Sequence, residues 1–420
     1  MLLIFAFLSF YLPNSDSVPS KVYILWFYLS LFVSVCAVGM YLFNTIRFKK
    51  KVKINYVIMA LFYTYMYGFT SFFSDYANFE TYKCIYFVGF ITLLEFAVEY
   101  FKEKEVITAY LKAGIIATLI YGLSYIKYFN VVGGMHHGQR KRLSYGYVIT
   151  EQNWYFFTYD NASVFIFLPI AAVFVYYCIR FDKSKFKLCL LYEIMVFLMY
   201  LLKSAATAEA IFLLFIIAST YYFYKLSKNE KIKFDLDYKK TWLLIIVVFL
   251  LVLTIVGSDL AYTVAGFFGK DGSFTGRDAI WNRAKELIAQ SPIFGYGMED
   301  VFFKTMRLIY SHCHNILLEI LYDGGIVGLS LYAAMIIFFA PKNNPVSCIF
   351  NICLFCYLFG QCFETQLAFP YFLSILYFNY HYCGKKVSRH KFRFILSSFL
   401  SKSFVSIDKT YTRFIEYTRQ

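Results

Sequence analysis

The chain has 420 residues, 60% hydrophobic and 22% aromatic, with only 16% charged and a net charge of +15; a soluble domain carries about 25% charged residues. With a mean hydropathy of +0.56, this excludes soluble globular domains, a disordered chain and a secreted disulfide scaffold. What remains is an all-α polytopic membrane protein.

A span needs about 20 apolar residues. In chain order the apolar runs predict about 12 transmembrane helices, at 1–12, 22–44, 54–74, 82–101, 106–128, 161–180, 188–203, 206–225, 241–256, 325–340, 345–363 and 366–382. The first is short, but it lacks a basic n-region and a small-residue cleavage site, so it reads as a helix and not as a signal peptide. The ten cysteines fall mostly inside these runs and behave as small hydrophobes. Cys353 and Cys356 form a CxxC inside a span, with no second ligand pair to make it a zinc or redox motif.

Lys and Arg set the orientation. With the N-terminus in the cytoplasm, 27 of the 41 basic residues fall in cytoplasmic segments and 13 outside, leaving Lys112 within a span. The positive charge therefore reads as topology and not as nucleic-acid binding. The chain divides into helices one to nine (1–256), a large extracytoplasmic loop (257–313), an interfacial helix with the last three spans (314–384) and a basic cytoplasmic tail (385–420). The tail interleaves Phe, Ile and Tyr with basic residues, the pattern of an amphipathic helix on an anionic inner leaflet.

Two outer segments, 130–160 and 257–313, exceed simple turns and are expected to be functional. The first holds Arg140, Lys141 and Arg142, read either as a solvated basic loop or as contacts for an anionic ligand. In the second, Thr275-Gly276-Arg277-Asp278 resembles a capping-box start. Ile280, Trp281, Ala284, Leu287 and Ile288 then recur at helical spacing, Pro292 stops the helix and Gly295-Tyr296-Gly297 turns the chain. This predicts an amphipathic helix on the outer membrane face or packed on the bundle. His314-Asn315 follows, then an apolar face (Ile316, Leu317, Ile320, Leu321), then a break at Asp323-Gly324-Gly325. Gly325 and Gly328 suit close helix packing, with or without a site beside them. His314 alone reads equally as a solvated interfacial histidine. His136-His137 and His312-Cys313-His314 lack an accompanying carboxylate cluster, so no metal site is expected.

Together these elements carry a resemblance. Thr275-Gly276-Arg277, Ile280-Trp281, Pro292-x-x-Gly295-x-Gly297, and His314-Asn315 followed after nine residues by Gly325-x-x-Gly328-Leu329 resemble the signature of the O-antigen ligase and polysaccharide polymerase superfamily. The resemblance implies a glycosyltransferase C-type architecture with one large outer loop. It implies glycan transfer from undecaprenyl diphosphate on the outer face of the cytoplasmic (inner) membrane, with no cofactor, metal or nucleotide sugar. One branch of the superfamily ligates finished polymer to lipid A core. The other joins repeat units into O-antigen, capsule or exopolysaccharide. The implied partners are undecaprenyl-diphosphate-linked glycans, the bilayer and other polysaccharide assembly proteins, and no nucleic acid.

The residues fit that chemistry independently. A diphosphate leaving group gathers negative charge, which the arginine fork and a helix N-terminus both favour. Arg277, at the superfamily's Gly-Arg position, is the candidate for this role. A sugar hydroxyl needs its proton removed, and histidine, with an ordinary pKa of about 6.5, suits the task. His314 is the candidate base, with Asn315 to orient it or a sugar. Arg142-Leu143-Ser144-x-Gly146 followed by Asn161 resembles a weaker upstream element, making Arg140 and Arg142 substrate-binding candidates. Many members carry Ser-Arg before the loop, whereas this chain reads Ser204-Ala205. Lys203 can supply the second cation, although a lysine at this level also simply snorkels.

Glu95, Glu99, Glu193 and Glu209 lie within spans, and membrane acids often mark pathways. They support the rival reading of a lipid-linked oligosaccharide flippase. Glu99 and Glu193 are expected to reach the cytoplasmic interface, and Glu209 to face the sugar site. The long outer loop favours an enzyme over a flippase, and the motif spacing argues against a non-catalytic scaffold. The missing Ser-Arg favours a polymerase over a ligase.

Overall fold

The computed structural model describes residues 1–15, 17–72, 81–131, 134–135, 143–144, 147–148, 153–203, 205–228, 230, 237–255, 277–297, 313–341, 346–363 and 370–383. In chain order the helices are α1 (Leu2–Ser9), α2 (Ser20–Arg47), α3 (Ile54–Tyr67), α4 (Thr81–Tyr100), α5 (Glu103–Lys127), α6 (Val164–Arg180), α7 (Phe186–Lys203), α8 (Ala206–Ser227), α9 (Tyr238–Ile255), α10 (Arg277–Gln290), α11 (Ile316–Phe338), α12 (Ser347–Gly360) and α13 (Tyr371–Cys383). A two-residue hairpin, Leu143–Ser144 with Tyr147–Val148, is the only paired sheet among the described residues.

Each predicted span falls on a helix. Among the described residues five of these helices are long and apolar enough, by length and composition, to cross: α2, α5, α6 with its leading turn, α8 and α11; the predicted count of about 12 is not confirmed by this. Some of the others are short. At 1.5 Å per residue, the eight residues of α1 reach only about 12 Å, and those of α12 and α13 about 20 Å, against a hydrocarbon core of about 30 Å.

The polar contacts sort to the two ends of the bundle. At one end Lys50 pairs with Glu99 at 2.5 Å and Lys53 pairs with Glu95. Arg180 meets Glu103 at 3.3 Å, and Lys183 donates to the Ser227 carbonyl at 3.1 Å. Asn55 and Tyr238 donate to the Phe338 and Ile336 carbonyls at the end of α11, both at 2.7 Å. This is the basic end, where the segments predicted as cytoplasmic meet.

The opposite end is tied by neutral bonds. Tyr86 and Tyr371 both donate to the Phe10 carbonyl, at 2.5 and 2.9 Å. Tyr125 donates to the Met199 carbonyl at 3.0 Å.

Helix α6 is the axis of the bundle, buried along nearly its whole length despite Pro169. Around it one large apolar core runs from α1 to α13. At the edge, α2 presents Ser30, Ser34, Ala37 and Tyr41 inward. A methyl group added at Gly89 of α4 would come within 2.2 Å of Ser34, so these backbones approach as only small residues allow.

The membrane acids are neutralised in different ways. Glu95, 1% exposed, also accepts from Tyr377 Oη at 3.1 Å and faces His381 Nε2 at 3.8 Å. Glu99 is held by Lys50, as an interfacial acid should be. Glu193 departs from the expected interfacial exposure: it is fully buried and accepts from Ser219 Oγ at 3.3 Å. Its seven-residue distance from the start of α7 hid the fact that α8 covers this face.

Candidate active site

The predicted amphipathic helix forms as α10 and ends just before Pro292. Its apolar face packs on the bundle. Ile280, Trp281 and Ala284 join Cys313, Leu318 and Tyr322 in a second, small core, with Val252, Leu287, Ile288 and Tyr296 at its margin. The first two turns of α11 are thus shared between two cores, since Ile316 and Ile320 belong to the main one.

The glycine signature locks this unit in place. Helix α11 breaks at Gly325, which has φ +58° and ψ −159°, a region open essentially to glycine alone. The break frees backbone groups, and the 292–297 turn takes them up. Tyr296 and Gly297 N–H donate to the Tyr322 and Asp323 carbonyls at 2.8 and 2.9 Å, and Ile326 N–H donates to the Pro292 carbonyl at 2.9 Å. Tyr65 Oη donates to the Gly324 carbonyl at 2.9 Å, and the Tyr296 and Tyr322 rings stack at 5.0 Å. Gly328 is a helix-packing glycine, with a methyl group there 3.1 Å from Met66 Sδ.

At Gly325 a methyl group would lie 2.2 Å from the Ile293 carbonyl oxygen. Gly325→Ala should therefore destabilise the protein by roughly 3 kcal/mol, combining strained backbone with a steric clash. Thermal unfolding in detergent measures this, and an unchanged transition would mean that the turn can retreat.

Arg277 and the Asn315-Ile316 pair that follows His314, far apart in sequence, meet one short turn after α12. Arg277, the first residue of α10, donates from Nη2 to the Phe363 carbonyl at 2.8 Å. Ile316 N–H donates to the Gln361 carbonyl at 3.0 Å, and Asn315 Nδ2 to the Cys362 carbonyl at 3.5 Å. Asn315 is 0% exposed and caps α11: its Oδ1 accepts from Leu317 and Leu318 N–H at 3.1 and 3.3 Å. Its carboxamide is thus engaged with backbone. His314 is half-buried and takes a left-handed conformation with φ +53°.

The neighbouring cysteine is clamped on both sides. Cys313 N–H donates to Glu319 Oε2 at 2.6 Å, and Trp281 Nε1 donates to the Cys313 carbonyl at 2.9 Å. Burial pushes the Cys313 thiol up, and the Glu319 charge adds to the shift.

A second polar group lies at the same end of the bundle. Asn161 Oδ1 accepts from Ala208 N–H at 3.4 Å, joining the starts of α6 and α8. Asp160 accepts from Asn161 N–H at 2.9 Å and from Asn153 Nδ2 at 3.3 Å. Burial raises the Asp160 carboxyl, while these bonds and the Lys203 charge pull it down. Lys203 donates to the Phe129 carbonyl and lies 4.2 Å from that ring's centroid. Glu209 is half-buried in the first turn of α8. The two groups adjoin through α12: at Gly360 a methyl group would meet Ile211 of α8 and Phe165 of α6.

Arg140, Arg142, Ser204, His136, His137, His312, Thr275 and the tail 385–420 lie outside the described residues. Sequence reasoning missed Glu319 and the 361–363 turn, while Asp160 was read together with Asn161 at the end of the first outer loop. An Asn just before an apolar run with an acid in the first turn is a helix-start signal, and it would have pointed to Asn315 and Glu319.

The family model described as O-antigen ligase matches residues 190–333. That stretch holds most of α7, all of α8 to α10 and more than three-quarters of α11, including Arg277, His314 and both glycine elements. Searches among curated proteins and among solved structures gave no match.

Proposed function

We propose that the chain, whose residues 190–333 match the O-antigen ligase family model, belongs to the O-antigen ligase and polysaccharide polymerase superfamily and is a polymerase that joins undecaprenyl-diphosphate-linked oligosaccharide repeat units into a surface polysaccharide. It works without a metal in the cytoplasmic membrane of a bacterium, with its site on the outer face. The observation that supports this reading is that Arg277 and Asn315, the residue next to His314, are anchored to the same Gln361–Phe363 turn, at the bundle end opposite the basic cluster. By the positive-inside rule, that end faces outward.

In the proposed reaction, His314 takes the proton of the acceptor sugar hydroxyl. The acceptor oxygen bonds to the anomeric carbon as that carbon's bond to the diphosphate oxygen breaks. The electron pair leaves with the undecaprenyl diphosphate, whose charge Arg277 and the α10 N-terminus stabilise. Asn315 positions His314 through the helix cap. Lys203 and Glu209 border the sugar-binding region, and Arg140 and Arg142 extend it from the first outer loop. The pairing of Glu95 and Glu99 with lysines at the basic end supports an enzyme over a flippase, which needs an uncommitted charged pathway.

Purified protein in phospholipid vesicles, supplied with an undecaprenyl-diphosphate-linked oligosaccharide, should yield longer lipid-linked chains and free undecaprenyl diphosphate. Movement of the unaltered oligosaccharide across the bilayer would overturn the reading in favour of a flippase. Transfer only after addition of lipid A core would assign a ligase.

A further inference from the structure

His314 departs from ordinary backbone geometry in a way the proposed reaction does not by itself explain. Its φ of +53° lies in the left-handed region, which costs a residue with a side chain roughly 1 kcal/mol or more. Such a conformation persists only where its surroundings over-determine it. Here both neighbours are fixed. Asn315 is locked into the α11 cap and against Cys362. Cys313, fully buried, has its carbonyl held by Trp281 and its N–H held by Glu319.

The Glu319 contact is the unusual one. The carboxylate reaches back six residues from the first turn of α11, past the cap, to a backbone N–H that precedes the helix. At 2.6 Å it is a short bond. The left-handed turn at His314 brings Cys313 over the start of α11, and the Glu319 bond closes that turn. Removing the carboxylate would leave a buried donor without its acceptor and release one side of the clamp.

We infer that Glu319 is a positioning residue: it fixes the left-handed turn that presents the His314 side chain to the acceptor, and it acts on the reaction through His314. This rests on the transferase reading above. A carboxamide at 319 keeps an acceptor oxygen, so Glu319→Gln should retain most of the activity. Glu319→Ala should lower the rate about 100-fold, the scale of a misplaced catalytic group.

The test is a double-mutant cycle on the full-length protein in vesicles, reading elongation of an undecaprenyl-diphosphate-linked oligosaccharide. If Glu319 works through His314, then Glu319→Ala should cost nothing more in a His314→Ala background. An equally deep loss in both backgrounds would overturn the inference and assign Glu319 a general structural role. A Glu319→Gln protein as impaired as Glu319→Ala would also overturn it, because the negative charge and not the hydrogen bond would then matter. Wild-type protein that elongates nothing would sink the transferase reading, and this inference with it. Activity in the wild type with additive losses sinks the inference alone.

Discussion

Replacing His314 by Ala should leave the protein inserted in the membrane at normal levels and stop polymer formation. Loss of a general base is typically worth ~10²–10⁴ in rate. The helix cap does not use the imidazole: Asn315 makes the bonds that start α11. The backbone can also keep its fold, since alanine loses only the side chain at a position already held by its neighbours. Single lipid-linked repeat units should accumulate on the outer leaflet, where an added glycosidase or lectin reaches them in spheroplasts. Accumulation on the inner leaflet would overturn the glycosyltransferase assignment. Long-chain polymer at wild-type levels would remove His314 from the mechanism and leave the enzyme reading intact.

Arg277→Lys should fail almost as badly as Arg277→Ala. Lysine keeps the charge but loses the planar fork. The guanidinium has five N–H donors, and one of them is already given to the Phe363 carbonyl. An ammonium that keeps this bond has less geometry left for two phosphate oxygens. Loss of charge-assisted bonds at a partly dehydrated diphosphate is worth on the order of 3 kcal/mol, about a hundredfold in rate. The check is initial elongation rate in vesicles at saturating donor. A lysine variant within a few-fold of wild type would show that Arg277 contributes only general positive potential or the tie to the 361–363 turn.

Much of the molecule was legible from local pattern. Apolar runs and basic flanks located the helices, because each helix satisfies its own backbone bonds and records its surroundings in its own residues. Helix α10 was legible for the same reason: its apolar residues recur at 3.6-residue spacing and Pro292 ends it. The spacing of Gly295, Gly297, Gly325 and Gly328 marked an unusual backbone without saying what it served.

Only the tertiary structure decided the rest. Composition cannot tell where a helix ends inside an apolar run, as α1 does after eight residues. Nor can it tell that Glu193 is covered by α8. The interlock between Gly325 and the 292–297 turn joins two separate segments. The turn that receives both Arg277 and Asn315 comes from a third, after α12, and carries no recognisable motif of its own. Its contribution is three backbone carbonyls. A carbonyl is the same in every residue, so its use at a site is set by where the chain folds and leaves no mark in the side chains that spell the sequence.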